Sequence, residues 1–266
     1  MKYIVIDPNY SGSMIFPFLV AMVLGALMGM LNGYLIGKLN ITPLIVTLGT
    51  CSIYRGLMMG GLNAQVYTWV PDVVKELSET NLFIYYSEKT GMTSRMSALI
   101  IIPIVFIFIT YFITKYTRLG RGIFAVGGSL VAAKRAGFNT TGIYMFVYAY
   151  CGMLSALAAM IRTVLLTTVQ PASFNTIDMT IISMVVIGGA AIGGGVGTML
   201  GTLLGCVLIT IITNSLILIG IPAYWQSFFS GLIIIIGTGI VAYQALMQKN
   251  KPQELIQDKT VDERQV

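Results

Sequence analysis

The sequence contains no histidine, three cysteines and few charged residues. The lack of histidine excludes mechanisms that need an imidazole as a general base or metal ligand. Charged residues make up 10% of the 266 residues, whereas soluble domains carry about a quarter, so a soluble protein is excluded. Each cysteine, at Cys51, Cys151 and Cys206, falls within an apolar run, which indicates small buried residues rather than a disulfide or a metal set.

Recognisable catalytic motifs are also absent. No two carboxylates share an apolar run, and no segment has the glycine-rich Walker pattern, so neither acid–base catalysis nor nucleotide hydrolysis by this chain is expected. The net charge of +6 comes from bases at the ends of apolar runs and in one loop, which disfavours nucleic-acid binding. The acid nearest a span, Asp178, stands at the start of a segment, which weighs against an ion-coupled carrier without excluding one.

What the sequence does contain is apolar runs of about 20 residues, the length needed to cross a hydrocarbon core. With 56% hydrophobic residues and a mean hydropathy of +0.84, the chain is predicted to be an all-α, polytopic transmembrane helical bundle surrounded by lipid. About 6–8 spans or half-spans are expected from these runs. Residues 1–247 are predicted to form one transmembrane domain, and residues 248–266 a charged cytoplasmic tail.

The basic residues predict the orientation of the chain, because cytoplasmic loops carry an excess of Lys and Arg. The loop 115–141 and the tail should be cytoplasmic, and the loop 62–96 extracytoplasmic. Within that outer loop, Pro71 is predicted to open a short helix flanked by Trp69, either lying in the membrane interface or receiving a delivery protein.

Glycines at four-residue spacing predict two close helix–helix contacts, because backbones approach where side chains are absent. The first set is Gly25, Gly29 and Gly33, continued by Gly37; the second is Gly197, Gly201 and Gly205. A denser glycine run predicts a broken helix near 188–197, of the kind found beside transport pathways. A plain cytoplasmic hairpin turn is the alternative interpretation.

The loop 115–141 contains a short segment, 127–138, that we predict to be a small-residue helix with a glycine at each end. The loop contains five bases, two of them within this segment, and no Asp or Glu occurs between Glu88 and Asp178. A small helix presented beside a bundle of spans is suited to docking a partner.

Four motifs resemble the permease subunits of bacterial ABC importers of the ribose/xylose/galactose type, whose superfamily includes autoinducer-2, nucleoside and branched-chain amino-acid permeases. The motifs span 29–33, 43–56, 120–137 and 185–202. The chain departs from the family at Ser129, where asparagine is usual, and at Ala190–Ala191, where Thr-Ser is usual. The family's upstream spans are not recognisable, which leaves open whether the N-terminus is complete.

The resemblance implies a multi-pass permease of the bacterial inner membrane, with no enzyme activity, cofactor or metal of its own. Its partners would be a second permease chain, identical or different, a cytoplasmic ABC ATPase dimer and an extracytoplasmic solute-binding protein. The resemblance assigns ATPase coupling to Ala125, Gly127, Gly128, Ala132, Ala133, Lys134 and Gly137. Polar residues on apolar spans predict translocation-path positions at Asn32, Thr47, Thr50, Ser183 and Asn214.

The cargo implied by the resemblance is a monosaccharide or a sugar-like small polar solute. Three alternatives stay open at this point. They are a nucleoside or branched-chain amino-acid permease of the same superfamily, a self-contained channel or ion-coupled carrier, and an accessory membrane subunit without transport of its own.

Overall fold

A computed structural model gives the fold for residues 15–61, 66, 81–87, 92–169, 177–191, 193–222 and isolated positions from 225 to 239. These residues are helical apart from one hairpin and the turns. In chain order the elements are α1 Ile15–Leu39, α2 Pro43–Gly61, β1 Asn81–Ser87, β2 Met92–Ser97, a 3-10 turn Ala98–Ile100, α3 Ile101–Tyr116, α4 Arg118–Gly128, α5 Leu130–Arg135, α6 Thr140–Leu166, α7 Ile177–Ile187 and α8 Met199–Leu218.

Four helical stretches are long and apolar enough to cross a membrane: Ile15–Leu39, Ala98–Tyr116, Thr140–Leu166 and Met199–Leu218. The predicted all-α multi-pass bundle is therefore confirmed. The predicted tail, 248–266, lies outside the described residues. The total of 6–8 spans stays a prediction.

The chain divides into two compact units, Met1–Ser173 and Phe174–Val266, each described here by itself. The single domain over 1–247 stays a prediction. In the first unit, Leu99 and Val164 form a small buried cluster at one end of the spans.

The first unit is organised around a close, antiparallel contact between α1 and α6. Gly25 lies opposite Gly152, and a Cβ at Gly25 would stand 2.5 Å from the Gly152 carbonyl oxygen. Gly33 lies opposite Met145, where an added Cβ would be 2.6 Å from the Met145 Cα. Backbone packing this close needs glycine on α1, and it supplies association that the hydrophobic effect does not supply in lipid.

The second unit contains a helix–turn–helix arrangement of α7 and α8. The 11 described residues of α7 extend about 16 Å, compared with about 30 Å for a hydrocarbon core. Gly189 ends it with φ +87°, and the Ala190 N–H bonds to the Val185 carbonyl at 3.2 Å. This capping pattern needs a left-handed residue, which glycine adopts without strain. The predicted break after α7 is confirmed.

Glycines also bring α7 and α8 together. A Cβ at Gly188 would stand 2.5 Å from the Gly201 carbonyl oxygen, and one at Gly205 would collide with the Met184 carbonyl. Gly197 lies in the turn before α8, next to Ala190. It therefore packs within the turn rather than between the helices.

The loop between α2 and α3 contains an antiparallel hairpin that the sequence analysis did not anticipate. In it β1 pairs with β2, with Ile84 opposite Arg95 and Tyr86 opposite Thr93. The run Leu82–Tyr86 is aromatic and β-branched, as strands prefer. The predicted helix at Pro71 lies outside the described residues.

Candidate functional site: the basic loop helices

The basic loop forms two helices, α4 and α5, rather than the single short helix that was predicted. Thr117 makes the sharp turn from α3 into α4. Its hydroxyl donates to the Ile113 carbonyl at 2.6 Å and accepts from the Gly120 N–H at 3.1 Å. Gly120 packs so closely on the Thr114 carbonyl that a Cβ would collide with it. The direction of α4 is thus fixed directly at the end of the span.

One side of α4 packs on the beginning of α6. A Cβ at Gly122 would lie 2.7 Å from the Ile143 Cδ1, so glycine allows this approach without displacing that side-chain end. Val126, Ala133 and Ile143 form a buried cluster that joins α4, α5 and α6. We call these three residues the seat. Because the seat is apolar and buried, it holds both loop helices against a span.

Both ends of α5 are capped. The Ser129 hydroxyl accepts from the Ala132 N–H at 3.3 Å, so serine provides an N-cap here in place of the family's asparagine. At the other end Gly137 has φ +80°, and the Phe138 N–H bonds to the Ala133 carbonyl at 3.1 Å, a Schellman cap. A six-residue helix would not persist alone, so the caps and the seat together maintain it.

The outer face of α5 is exposed. Val131 is 61% exposed, whereas Ala133 is only 2% exposed. Of the predicted coupling residues, four are exposed and three are not: Gly128, Ala132, Lys134 and Gly137 against the half-buried Ala125 and Gly127 and the buried Ala133. Because Ala133 is buried in the seat, the residues of α5 that can contact another protein directly are its exposed neighbours. We call Val131, Ala132, Lys134 and Arg135 the outer face.

The loop is strongly positive. Lys115, Arg118, Arg121, Lys134 and Arg135 are all exposed. The sequence offers no acid between Glu88 and Asp178 to neutralise them locally. Exposed charges of one sign raise the local concentration of anionic partners.

The predicted translocation-path residues are divided between the two units. In the first unit, Asn32 lies on α1 and Thr50 on α2, each eight residues from the turn 40–42 and thus about 12 Å along its helix. The Asn32 Oδ1 atom is buried and has no hydrogen-bond partner in the described part of the chain. An unpaired buried acceptor costs about 1–3 kcal/mol, so it marks a position where a donor would be favourable.

The two threonines on α2 use their hydroxyl hydrogens locally. Thr50 is buried and donates to the Val46 carbonyl at 2.9 Å. Thr47 donates to the Pro43 carbonyl at 3.0 Å. Their oxygens can still accept from a hydroxyl-bearing solute. In the second unit, Ser183 is buried on α7 and Asn214 is exposed on α8.

The sequence analysis missed the residues that support α5, namely Gly122, Val126, Phe138 and Ile143. The sequence carried only a weak signal for these residues. Ile123, Val126 and Leu130 recur at helical spacing within the basic loop. Their packing against α6 requires a tertiary contact that no local pattern specifies.

Comparison with known proteins gives a consistent result. Residues 6–237 match the family described as branched-chain amino acid transport system / permease component. The chain is 33% identical over 217 residues to the ribose import permease protein of Haemophilus influenzae, covering 82% of this chain and 65% of that protein. It is 30% identical to the autoinducer 2 import system permease protein of Yersinia pseudotuberculosis, covering 82% and 59%.

The chain thus spans about 65% and 59% of the length of these two relatives. No solved structure matches.

Proposed function

Because the chain belongs to the family described as branched-chain amino acid transport system / permease component, we propose that it is the transmembrane permease of an ATP-driven importer. Its cargo is a monosaccharide or a sugar-like polar solute. The relative's name supports this cargo, since a ribose import permease is 33% identical to this chain. The bacterial inner membrane is the corresponding location.

The observation that carries the proposal is the combination of exposed outer face and buried seat at α5. A partner that pulls or pushes on Val131 or Lys134 acts on a helix whose other side, Ala133, is 2% exposed against Val126 and Ile143. The caps at Ser129 and Gly137 prevent the helix from unwinding under that load. Movement would pass to α6, and through the glycine contact to α1.

The partner at the outer face is a cytoplasmic ATPase on a separate subunit, because this sequence has no Walker motif. Lys134 and Arg135 favour an acidic groove, and Val131 with Ala132 supplies a small apolar contact. A solute-binding protein on the opposite side and a second permease chain, identical or different, complete the importer. This arrangement places loop 115–141 and the tail in the cytoplasm and loop 62–96 outside.

In this importer Asn32 and Thr50 contact the solute. Both lie well inside the helices, at matching distances from the 40–42 turn, and the buried Asn32 Oδ1 lacks a donor in the described part of the chain. A sugar hydroxyl can donate a hydrogen bond to the Asn32 Oδ1 or to the Thr50 hydroxyl oxygen. Ser183 and Asn214 are the corresponding candidates in the second unit.

The test is reconstitution of the chain with its ATPase and binding protein in vesicles, measuring uptake of labelled ribose. We expect ATP-dependent uptake that Lys134→Glu lowers at least tenfold, because loss of one partner from a charge pair buried in an interface costs about 2–5 kcal/mol. Lys38→Glu is the matched control, since Lys38 is an exposed lysine outside α5. It should leave uptake within twofold of wild type.

Two results would refute the proposal. Ribose uptake without ATP would make the chain a channel or an ion-coupled carrier. ATP-dependent uptake of leucine or a nucleoside but not of ribose would assign the chain to the other cargo classes of its superfamily.

A further inference from the structure

A shallow groove on the exposed side of α3 lies next to the basic loop. Aromatic and aliphatic side chains line it: Phe108, Ile109, Tyr111, Phe112, Ile113 and Tyr116. Phe108 is 68% exposed and Phe112 is 61% exposed. Because α3 lies within an apolar stretch long enough to cross a membrane, the groove stands at the depth of lipid chains.

The aromatic rings at the end of the groove nearest the basic loop contact one another. The centroids of Phe112 and Tyr116 are 5.2 Å apart, and those of Tyr111 and Tyr116 are 6.4 Å apart in an edge-to-face arrangement. Aromatic rings at such separations attract one another. The three rings therefore pack against one another at this end of the groove.

The Lys115 ammonium lies at the same end of the groove. The Lys115 Nζ donates to the Tyr111 hydroxyl at 2.6 Å and lies 5.1 Å and 5.6 Å from the ring centroids of Tyr111 and Tyr116. An ammonium has three N–H donors, and within the described residues only the Tyr111 hydroxyl accepts from this one, which leaves two for another ligand. The side chain thus presents its charge where the apolar groove ends.

Two arginines follow Lys115 within six residues of the sequence. Arg118 and Arg121 are exposed and three residues apart on α4, so they lie on neighbouring positions of one helix face. The sequence contains no Asp or Glu from residue 89 to 177. The three positive charges at 115, 118 and 121 therefore have no local counter-charge within this stretch.

From this juxtaposition we infer that the α3 groove and the bases at 115, 118 and 121 bind one anionic phospholipid. An acyl chain lies along Phe108 and Phe112, and the phosphate is bound by Lys115, Arg118 and Arg121. A free anion would need only the bases, and a soluble protein would not reach a groove at bilayer depth. A lipid uses both parts.

The chain contains an internal control for this site. On α1, Lys38 donates to the Tyr34 hydroxyl at 2.6 Å and lies 5.0 Å from its ring, which repeats the Lys115 arrangement. The two lysines are at the same end of the first unit, since Gly37 contacts Thr141 at the start of α6 and α4 packs there as well. No arginine follows Lys38 within the next ten residues.

The experiment is native mass spectrometry of the purified chain titrated with phosphatidylglycerol or phosphatidylcholine. We expect tighter binding of phosphatidylglycerol. Lys115→Gln/Arg118→Gln should weaken that binding about 25-fold, since each base near an anionic surface contributes about fivefold. Lys38→Gln should change it less than twofold. Phe108→Ala/Phe112→Ala should also weaken phosphatidylglycerol binding. A water-soluble glycerol phosphate should not compete with phosphatidylglycerol for the site.

Specific outcomes would overturn the inference. Equal affinity for the two lipids, or equal losses from Lys38→Gln and the double variant, would show only general membrane attraction. Competition by glycerol phosphate would identify a soluble-anion site. Cross-linking of position 108 or 112 to a second copy of the chain in membranes would show that protein, and not lipid, covers the groove. None of these measurements depends on transport or ATP.

Discussion

The α1–α6 contact and the α5 helix are both held by tertiary packing, yet they differ in what they leave exposed. Along α1 and α6, glycines bring backbone against backbone, and Thr141 adds a hydrogen bond to the Gly37 carbonyl at 3.0 Å. At α5, Ala133 is buried in the seat and Leu130 packs against it, while the outer face is exposed. The first arrangement suits force transmission and the second suits contact with a partner, so substitutions should affect the two regions differently.

The largest effect is expected in the α1–α6 contact. Gly29→Val should destabilise the chain by about 3 kcal/mol or more, because its Cβ would collide with the Tyr148 carbonyl and backbone cannot yield as a side chain can. Gly49→Val on α2 is the matched control, since nothing lies within 4 Å of a Cβ there. Thermal unfolding in detergent checks both. Equal losses of stability would contradict the close contact.

The next effect separates the seat from the outer face. Ala133→Glu should destabilise the loop by about 2–4 kcal/mol, because the site would bury a carboxylate among Val126 and Ile143. Val131→Glu, at a 61% exposed position, should leave stability within about 0.5 kcal/mol. Limited proteolysis between 118 and 140 reports the difference. Protection that is the same in both variants would mean that α5 has no buried side.

A smaller effect tests the C-terminal cap of α5. Gly137→Ala should cost about 1 kcal/mol, because φ +80° is strained for a residue with a Cβ. Gly128→Ala, where no atom lies within 4 Å, should instead be neutral or stabilise by up to about 1 kcal/mol. Thermal unfolding and proteolysis of the loop would reveal the opposite signs. A shared sign would contradict the cap geometry.

The smallest effect concerns the hydrogen bond that closes the α1–α6 contact. Thr141→Val should cost about 0.6 kcal/mol, the average for a side-chain hydrogen bond within a membrane bundle. Thr210→Val on α8 is the control, because among the described residues that hydroxyl bonds only within its own helix, to the Cys206 carbonyl. Denaturant unfolding can compare them. A larger loss of stability for Thr210→Val than for Thr141→Val would contradict a contribution of the Thr141–Gly37 hydrogen bond to the α1–α6 contact.

The sequence predicted the parts of the fold that follow from local chemistry. Apolar runs of about 20 residues predicted a multi-pass bundle, and α1, α3, α6 and α8 lie in such runs, because length and hydropathy determine a span. The glycine run at 188–197 predicted the end of α7 for a similarly local reason. Glycine both weakens a helix and permits the positive φ found at Gly189.

Other features depend on contacts that sequence spacing does not specify. Ala132 and Ala133 are adjacent and chemically identical, yet one is exposed and the other buried, because only the position of α6 decides which side is covered. The β hairpin at 81–97 was also not predicted, because it depends on the pairing of β1 with β2. The partner of Gly29 on α6 likewise became visible only in the fold.

The most direct test of the central claim is cross-linking from α5 in a cysteine-free background, made by replacing Cys51, Cys151 and Cys206 with alanine. Single cysteines at 131, 132 and 133 would be tested in membranes containing the co-expressed ATPase. We expect cross-links to the ATPase from 131 and 132, and none from the buried position 133. Failure at 131 and 132, or their labelling by an impermeant reagent from outside intact cells, would contradict the claim that α5 is the contact with a cytoplasmic ATPase.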